Sequence, residues 1–415
     1  MYFDNGQLIV YKLGTSGDHA FISGMAGTGK SYTIKAIASY WKQKGKNVLF
    51  CSNTKQAALN LDANGLTIYK AFNTFPGGLQ LDKAGIKRLK NSAAHKADVI
   101  IVDEISTCPK HLFSYIARAI KRIESERKYG GKIILIVIGD FYQLPPVHLK
   151  GDLVEYAFES DSWKDFNFQY AKLTTSHRQG NSEFFRRLCM IREGIDVAEN
   201  LEYLKKHTHY MDGEKGYITL CARRKTVKRI NQEKIDSLKG ECKIYRAKTD
   251  SDDFTDSRGV WKKLALKKGT HIMTIYNDPK DKYYNGEFGI VEELLDDKVI
   301  VKMHNQIKGC IEFVQVGYHR WDDGENYVEQ LPIIPSYAIT IHRAQGLTLK
   351  SVNIDPDCFA EGQLYVALSR VRDAGDIYIT GELKESYVKV NPKVKKFYDE
   401  LEQQYQATLF QLRVQ

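Results

Sequence analysis

Through the first 175 residues, short apolar runs of strand character alternate with longer stretches of helical composition. The runs at 20–23, 47–51, 99–103, 133–139 and 171–174 predict strands, and 31–42 predicts a helix. Strands separated by helices imply a parallel sheet in an α/β layer fold. Around 76–95 the alternation breaks into Gly-Gly, lysines and small residues, which marks a small excursion. A second alternating region begins near 177, with a strand at 218–222 and a helix at 225–238. Between 245 and 334, charged turns separate short alternating strands such as 286–295 and 298–303, and this reads as a small all-β insertion. The α/β character returns with strands at 336–341, 351–355 and 376–380 and a helix at 362–371. The tail from 392 to 415 predicts a charged helical extension.

Composition narrows the class. At 415 residues the chain exceeds what one hydrophobic core organises, so two to four domains are expected. The 61 basic against 51 acidic residues leave a formal charge of +10, which suits a polyanion track as well as a solvated basic surface. Seven cysteines at 51, 108, 189, 221, 242, 310 and 358 form no C-x-x-C pair, which argues against a zinc finger or a disulfide framework. The histidines form no ligand-spaced cluster; His207 and His209 lack cysteine partners. Neither a signal peptide nor an apolar run of about 18 residues is visible, so an intracellular protein with no membrane contact is expected.

The chemistry starts at Gly24-Met25-Ala26-Gly27-Thr28-Gly29-Lys30-Ser31, which fills every fixed position of the phosphate-binding loop G-x-x-x-x-G-K-[ST]. Its glycines let successive backbone amides point at phosphate oxygens. Lys30 reaches the outer phosphates, and Ser31 offers a hydroxyl to Mg²⁺ at a helix start. The apolar strand 99–103 ends in Asp103-Glu104. In phosphate-loop enzymes the first such acid holds Mg²⁺ and the second polarises the attacking water. After the next apolar strand, Gly139-Asp140-Phe141-Tyr142-Gln143-Leu144-Pro145-Pro146 places an uncharged donor and acceptor, Gln143, on a stiff turn. The segments 173–179 and 364–370 carry Arg178 and Arg370, guanidinium forks suited to charge on a transferred phosphoryl group.

Taken in order, GMAGTGKS, VDEIS, GDFYQLPPV, LTTSHRQ, YAITIHRAQGLTL and LYVALSRVR resemble the PIF-type DNA helicases of superfamily 1, beside the RecD and Dda enzymes. The likeness runs from about residue 7 to 380. It implies two RecA-like parallel-sheet lobes with ATP between them and single-stranded DNA across both. It divides the chain into a first lobe (1–175, with a small wedge at 76–95), a second lobe (176–244 and 335–390), an SH3-like β insertion (245–334) and a helical extension (391–415). The likeness also implies that Lys30, Ser31, Asp103, Glu104 and Gln143 form the hydrolysis set, with Arg178 and Arg370 reaching the γ-phosphate from the second lobe. Gln7 would read adenine, His177 would stack on it, and Gln345 and Gly346 would link the nucleotide and DNA sites.

DNA contacts implied by the same resemblance fall on Asn53, Thr54, Thr67, Thr340 and His342, hydroxyl, amide and imidazole groups suited to phosphates. Tyr69 stands where the family commonly has histidine, and Arg343-Ala344 where it often has lysine-serine. Phe72, Phe75 and Pro76 either stack bases or help split the duplex; alternatively the two phenylalanines, three apart, are core residues of a helix. The expected activity is an ATP- and Mg²⁺-dependent helicase translocating 5′→3′ on single strands and opening forked or structured DNA as a monomer, in the cytoplasm or at the nucleoid. The alternative is a DNA-stimulated ATPase acting as a switch or protein-displacing translocase without strand separation.

Overall fold

A computed structural model describes residues 2–127, 131–146, 154–177, 182–210, 218–249, 260–305, 307–319 and 327–414. Six parallel strands form the first sheet, in the spatial order Leu66–Thr67, Val48–Ser52, Val99–Asp103, Ile134–Gly139, Ala20–Gly24 and Gln169–Leu173. The central strands Val99–Asp103 and Ile134–Gly139 are apolar on consecutive positions because helices cover both faces of a parallel sheet. One covering helix, Lys30–Gln43, buries Ile34, Ile37 and Trp41. It packs so closely on the helix Asn5–Gly14 that a Cβ on Gly14 would lie 2.4 Å from Ile37 Cδ1. Trp41 Nε1 donates to the Gly14 carbonyl at 2.8 Å, satisfying its one polar group.

The second sheet is also parallel, ordered Ala338–Thr340, Thr219–Cys221, Val352–Ile354, Ile377–Ile379 and His209–Tyr210. Its strand Ala338–Thr340 ends one residue before the expected boundary, because the chain turns into the short helix Ile341–Ala344. Between the strands of this second sheet lies the expected β region. Its main sheet is antiparallel, ordered Cys310–Val314, Lys298–Met303, Phe288–Leu294, His271–Thr274 and Ile333–Pro335. Gly286, at φ +96°, does not form a two-residue hairpin with Asn285. It lies near the end of a connection that spans 275–287.

Two segments depart from a plain reading of the pattern. Residues 76–95 form a loop followed by the helix Lys83–Lys90 and the start of the helix Ala93–Lys96. The tail is the helix Pro392–Val414, and it is not a detached extension. Val394, Tyr398, Leu401 and Tyr405, spaced as one helical stripe, enter the hydrophobic core of the first lobe. Phe397 stacks on Phe158 with centroids 4.2 Å apart. This helix therefore packs on the first lobe.

Candidate nucleotide site and nucleic-acid groove

The loop 24–31 joins the strand Ala20–Gly24 to the helix Lys30–Gln43, with Gly27 and Gly29 at φ +84° and +78°. At Gly29 a side chain has no room: a Cβ would lie 2.5 Å from Gln7 Nε2 and 3.0 Å from His177 Cδ2. Lys30 Nζ donates to the carbonyls of Gly24 and Met25 at 2.7 and 2.8 Å, and Thr28 Oγ1 donates to Met25 at 2.9 Å. The loop is thus held rigid from within. His177 is tied to it by its amide, which donates to Gly27 O at 2.8 Å, and its ring meets Asp4 at 3.0 Å.

A cavity of about 510 Å³ opens over this loop. Its walls bring together Ala26, Gly27, Gly29, Lys30, Ser31, Asp103, Glu104, Gln143 and His177 with Gly346 and Arg370 from the second lobe. Gly24, Met25 and Thr28 lie buried off the wall. Gln7 does too: it is buried, sharing a capping box with Asp4 and packing against Gly29. Arg178 lies outside the described residues. Arg370 is buried, its guanidinium donating to the carbonyls of Val366, Ala344 and Leu347 and to Ser369 Oγ.

The two acids are electrostatically distinct from surface carboxylates. Enclosure raises the Asp103 carboxyl, opposed by the Glu104 amide, which donates to Oδ1 at 2.8 Å, and by Lys30. Enclosure, reinforced by Asp103, pushes Glu104 up to about 7, against the pull of Arg370 and Lys30. Glu104 also holds a left-handed backbone (φ +51°, ψ +44°), uncommon for a non-glycine residue. Among the described residues no group of three His, Cys, Asp or Glu could cage a metal. The Ser31 hydroxyl and Asp103 carboxylate, two hard oxygen donors on one wall, fit Mg²⁺ that shares its shell with water and phosphate.

On the other side of Glu104 runs a groove of about 590 Å³. It brings together Asn53, Thr54, Thr67 and Tyr69 of the first lobe, Met273, Asn277 and Asn285 of the β region, and His342 of the second lobe. The hydroxyls of Thr54 and Thr67 accept from the amides of Ala57 and Lys70 as helix N-caps. Each keeps its own hydrogen to donate outward. Glu104 lines both the cavity and the groove. So does the segment after the short helix: Gln345 and Leu347 face the groove, while Gly346 and Thr348 face the cavity.

Four of the expected DNA contacts do not line the groove. Phe72 is 0% exposed in the first-lobe core, edge-on to Tyr115, so it cannot meet a base. Phe75 and Pro76 are exposed but do not line the groove, and Arg88 lies over the Phe75 ring at 5.2 Å. Thr340 is half-buried at the end of its strand and stays off the groove wall. Sequence reasoning also missed walls of both sites. Tyr32, Asn60 and Arg372 join the cavity, and Lys55, His111, Asn277, Asn285 and Arg343 join the groove. Lys55 follows Asn53-Thr54 directly and was within reach of a motif reading. Nothing local to His111 or Asn277 marks them, since only the fold brings them to the groove.

Comparison with known proteins matches this architecture. The family described as PIF1-like helicase matches residues 7–194. The ATP-dependent DNA helicase Pif1 of Campylobacter jejuni is 31% identical, over 92% of this chain and 94% of its own. A Pif1 helicase structure concerned with unwinding at forked duplex DNA by two coordinating helicases superposes with a TM-score of 0.80 at 26% identity, covering 97% of this chain and 98% of that one. A Bacteroides Pif1 helicase in complex with ADP-AlF3 and single-stranded DNA superposes at 0.78, with 26% identity and coverage of 97% and 98%. Motif order, two parallel-sheet lobes and near-complete coverage agree: this chain belongs to the PIF1-like helicase family.

Proposed function

We propose that this chain is an ATP-dependent DNA helicase that moves 5′→3′ along single-stranded DNA and separates duplex or structured DNA, one copy being sufficient. The observation that carries the reading is the shared wall: Glu104 and the 345–348 segment border both the phosphate-loop cavity and the groove. A strand seated in the groove is therefore one side chain away from the hydrolysis site. The Bacteroides relative holds a nucleotide analogue and single-stranded DNA together, which supports assigning the two cavities in this way.

In this reading ATP lies over the loop, with backbone amides of 26–31 and Lys30 on its phosphates. Ser31 and Asp103 would hold Mg²⁺, which would neutralise phosphate charge there. Glu104 orients and accepts a proton from the attacking water, and Gln143 fixes that water's position. Arg370, joined by Arg178, meets the charge that develops on the transferred phosphoryl group. Asn53, Thr54, Thr67 and His342 grip the DNA backbone without reading sequence, and Tyr69 stacks on a base. Residues 76–95 serve as the wedge and 245–334 as the SH3-like insertion. Lobe closure on ATP and reopening after hydrolysis alternate the grip and so move the strand. Lys30→Ala and Glu104→Gln should each abolish DNA-stimulated ATP hydrolysis while single-strand binding persists. Normal turnover in either variant refutes the assignment.

A further inference from the structure

The turn that carries Gln143 is not held by its own lobe alone. Its amide donates to Asp140 O at 2.9 Å, so the orientation of Gln143 depends on where residues 140–142 are fixed. The Phe141 amide donates to the hydroxyl of Tyr398, in the C-terminal helix, at 3.0 Å. The same hydroxyl receives Ser23 Oγ at 3.2 Å, immediately before the phosphate loop. One buried oxygen thus joins the ends of the two strands that feed Gln143 and Lys30. The Tyr398 ring also stacks on Tyr142, with centroids 4.9 Å apart and planes at 8°.

The same turn is gripped from the second lobe. Arg192 forks onto Asp140, with its closest contact at 2.7 Å, and its guanidinium covers Tyr142 at 4.3 Å and Tyr398 at 5.5 Å. Tyr365 donates to Asp140 Oδ2 at 3.2 Å. These contacts form one buried cluster from three parts of the chain, behind the hydrolysis cavity, to whose wall Asp140 belongs while Tyr142, Arg192, Tyr365 and Tyr398 do not. In such a cluster each polar group depends on its neighbours for satisfaction.

We infer that Tyr398 is a positioning residue for ATP hydrolysis: its hydroxyl sets the Gln143 turn against the phosphate loop, making the C-terminal helix part of the motor. The inference rests on the functional reading above. A helix that merely staples the first lobe would act through docking contacts, such as the Lys172–Glu402 ion pair on the same helix.

The test is steady-state ATP hydrolysis with saturating single-stranded DNA, on the full chain, for wild type, Tyr398→Phe and Glu402→Gln. Thermal midpoints and nucleotide-free DNA affinity are measured alongside. Tyr398→Phe keeps the ring and its stack. It should lower kcat about fivefold, the reach of one hydrogen bond, while KM for ATP and DNA affinity stay within about twofold. Glu402→Gln should leave kcat unchanged. An unchanged kcat in folded Tyr398→Phe overturns the inference and leaves the functional reading standing. So does an equal loss in both variants that follows their thermal midpoints. If the wild type hydrolyses no ATP with DNA, both fall together.

Discussion

The Glu104 carboxylate lies against Gly346, so closely that a Cβ on that glycine would sit 3.3 Å from Oε1. Gly346 belongs to the second lobe and holds φ +81°, a conformation that costs a non-glycine residue about 1–2 kcal/mol. Its neighbours Gln345 and Leu347 line the groove on the other side. In the proposed reading, a movement of the strand along the groove would be passed through this segment to the acid that orients water.

Gly346→Ala should therefore slow DNA-stimulated ATP hydrolysis by about tenfold, equivalent to about 1.4 kcal/mol of barrier. Binding to single strands without nucleotide should change little. Steady-state ATPase assays with fluorescence anisotropy separate the two, and an unchanged rate would remove Gly346 from the coupling.

Phe72 and Tyr69, three residues apart, should respond oppositely. Phe72→Ala opens a cavity in the first-lobe core and should cost about 3–5 kcal/mol in urea unfolding. Tyr69→Ala, on the groove wall, should leave folding intact and weaken single-strand affinity by about 1–3 kcal/mol. Loss of DNA affinity in a folded Phe72 variant would contradict its placement.

The Arg192–Asp140 pair is almost wholly buried. Arg192→Met leaves the Asp140 charge enclosed and unpaired, which should cost about 3–5 kcal/mol in chemical denaturation. A loss under about 1 kcal/mol would mean that the pair is not closed in solution.

His19 gives a pH signature. Its Nδ1 accepts the Leu135 amide at 3.0 Å, and partial burial, with Lys132 nearby, lowers the imidazole to about 4 from the ordinary 6.5. The unfolded chain binds the proton more readily between those values, so stability falls as pH drops from 6.5 towards 4. Against the background titration of carboxylates, His19→Gln should flatten that part of the unfolding-midpoint profile. Parallel profiles for the two proteins would refute the role.

Five of the six first-lobe strands and the phosphate-loop cavity were legible because their signals are local; the two-residue strand Leu66–Thr67 is too short to show a pattern. A strand buried on both faces must be apolar throughout, which is why Val99–Asp103 shows its bounds in the sequence. A phosphate-binding turn likewise demands its glycines and lysine in fixed order. What stayed hidden depends on distant packing. The stripe Val394, Tyr398, Leu401 and Tyr405 predicts a helix but says nothing of which lobe it covers. An aromatic such as Phe72 looks the same to periodicity whether a base or Tyr115 lies beneath it. Asp140 and Arg192 sit 52 positions apart, on different lobes, and nothing near either residue announces the other.

Strand separation on matched duplexes with either a 5′ or a 3′ single-stranded tail, in ATP and Mg²⁺, tests the central claim most directly. Unwinding from the 5′-tailed duplex alone is the predicted result. If neither duplex opened while single strands still stimulated ATP hydrolysis, the chain would be a DNA-dependent switch or protein-displacing translocase, and the helicase assignment would be wrong.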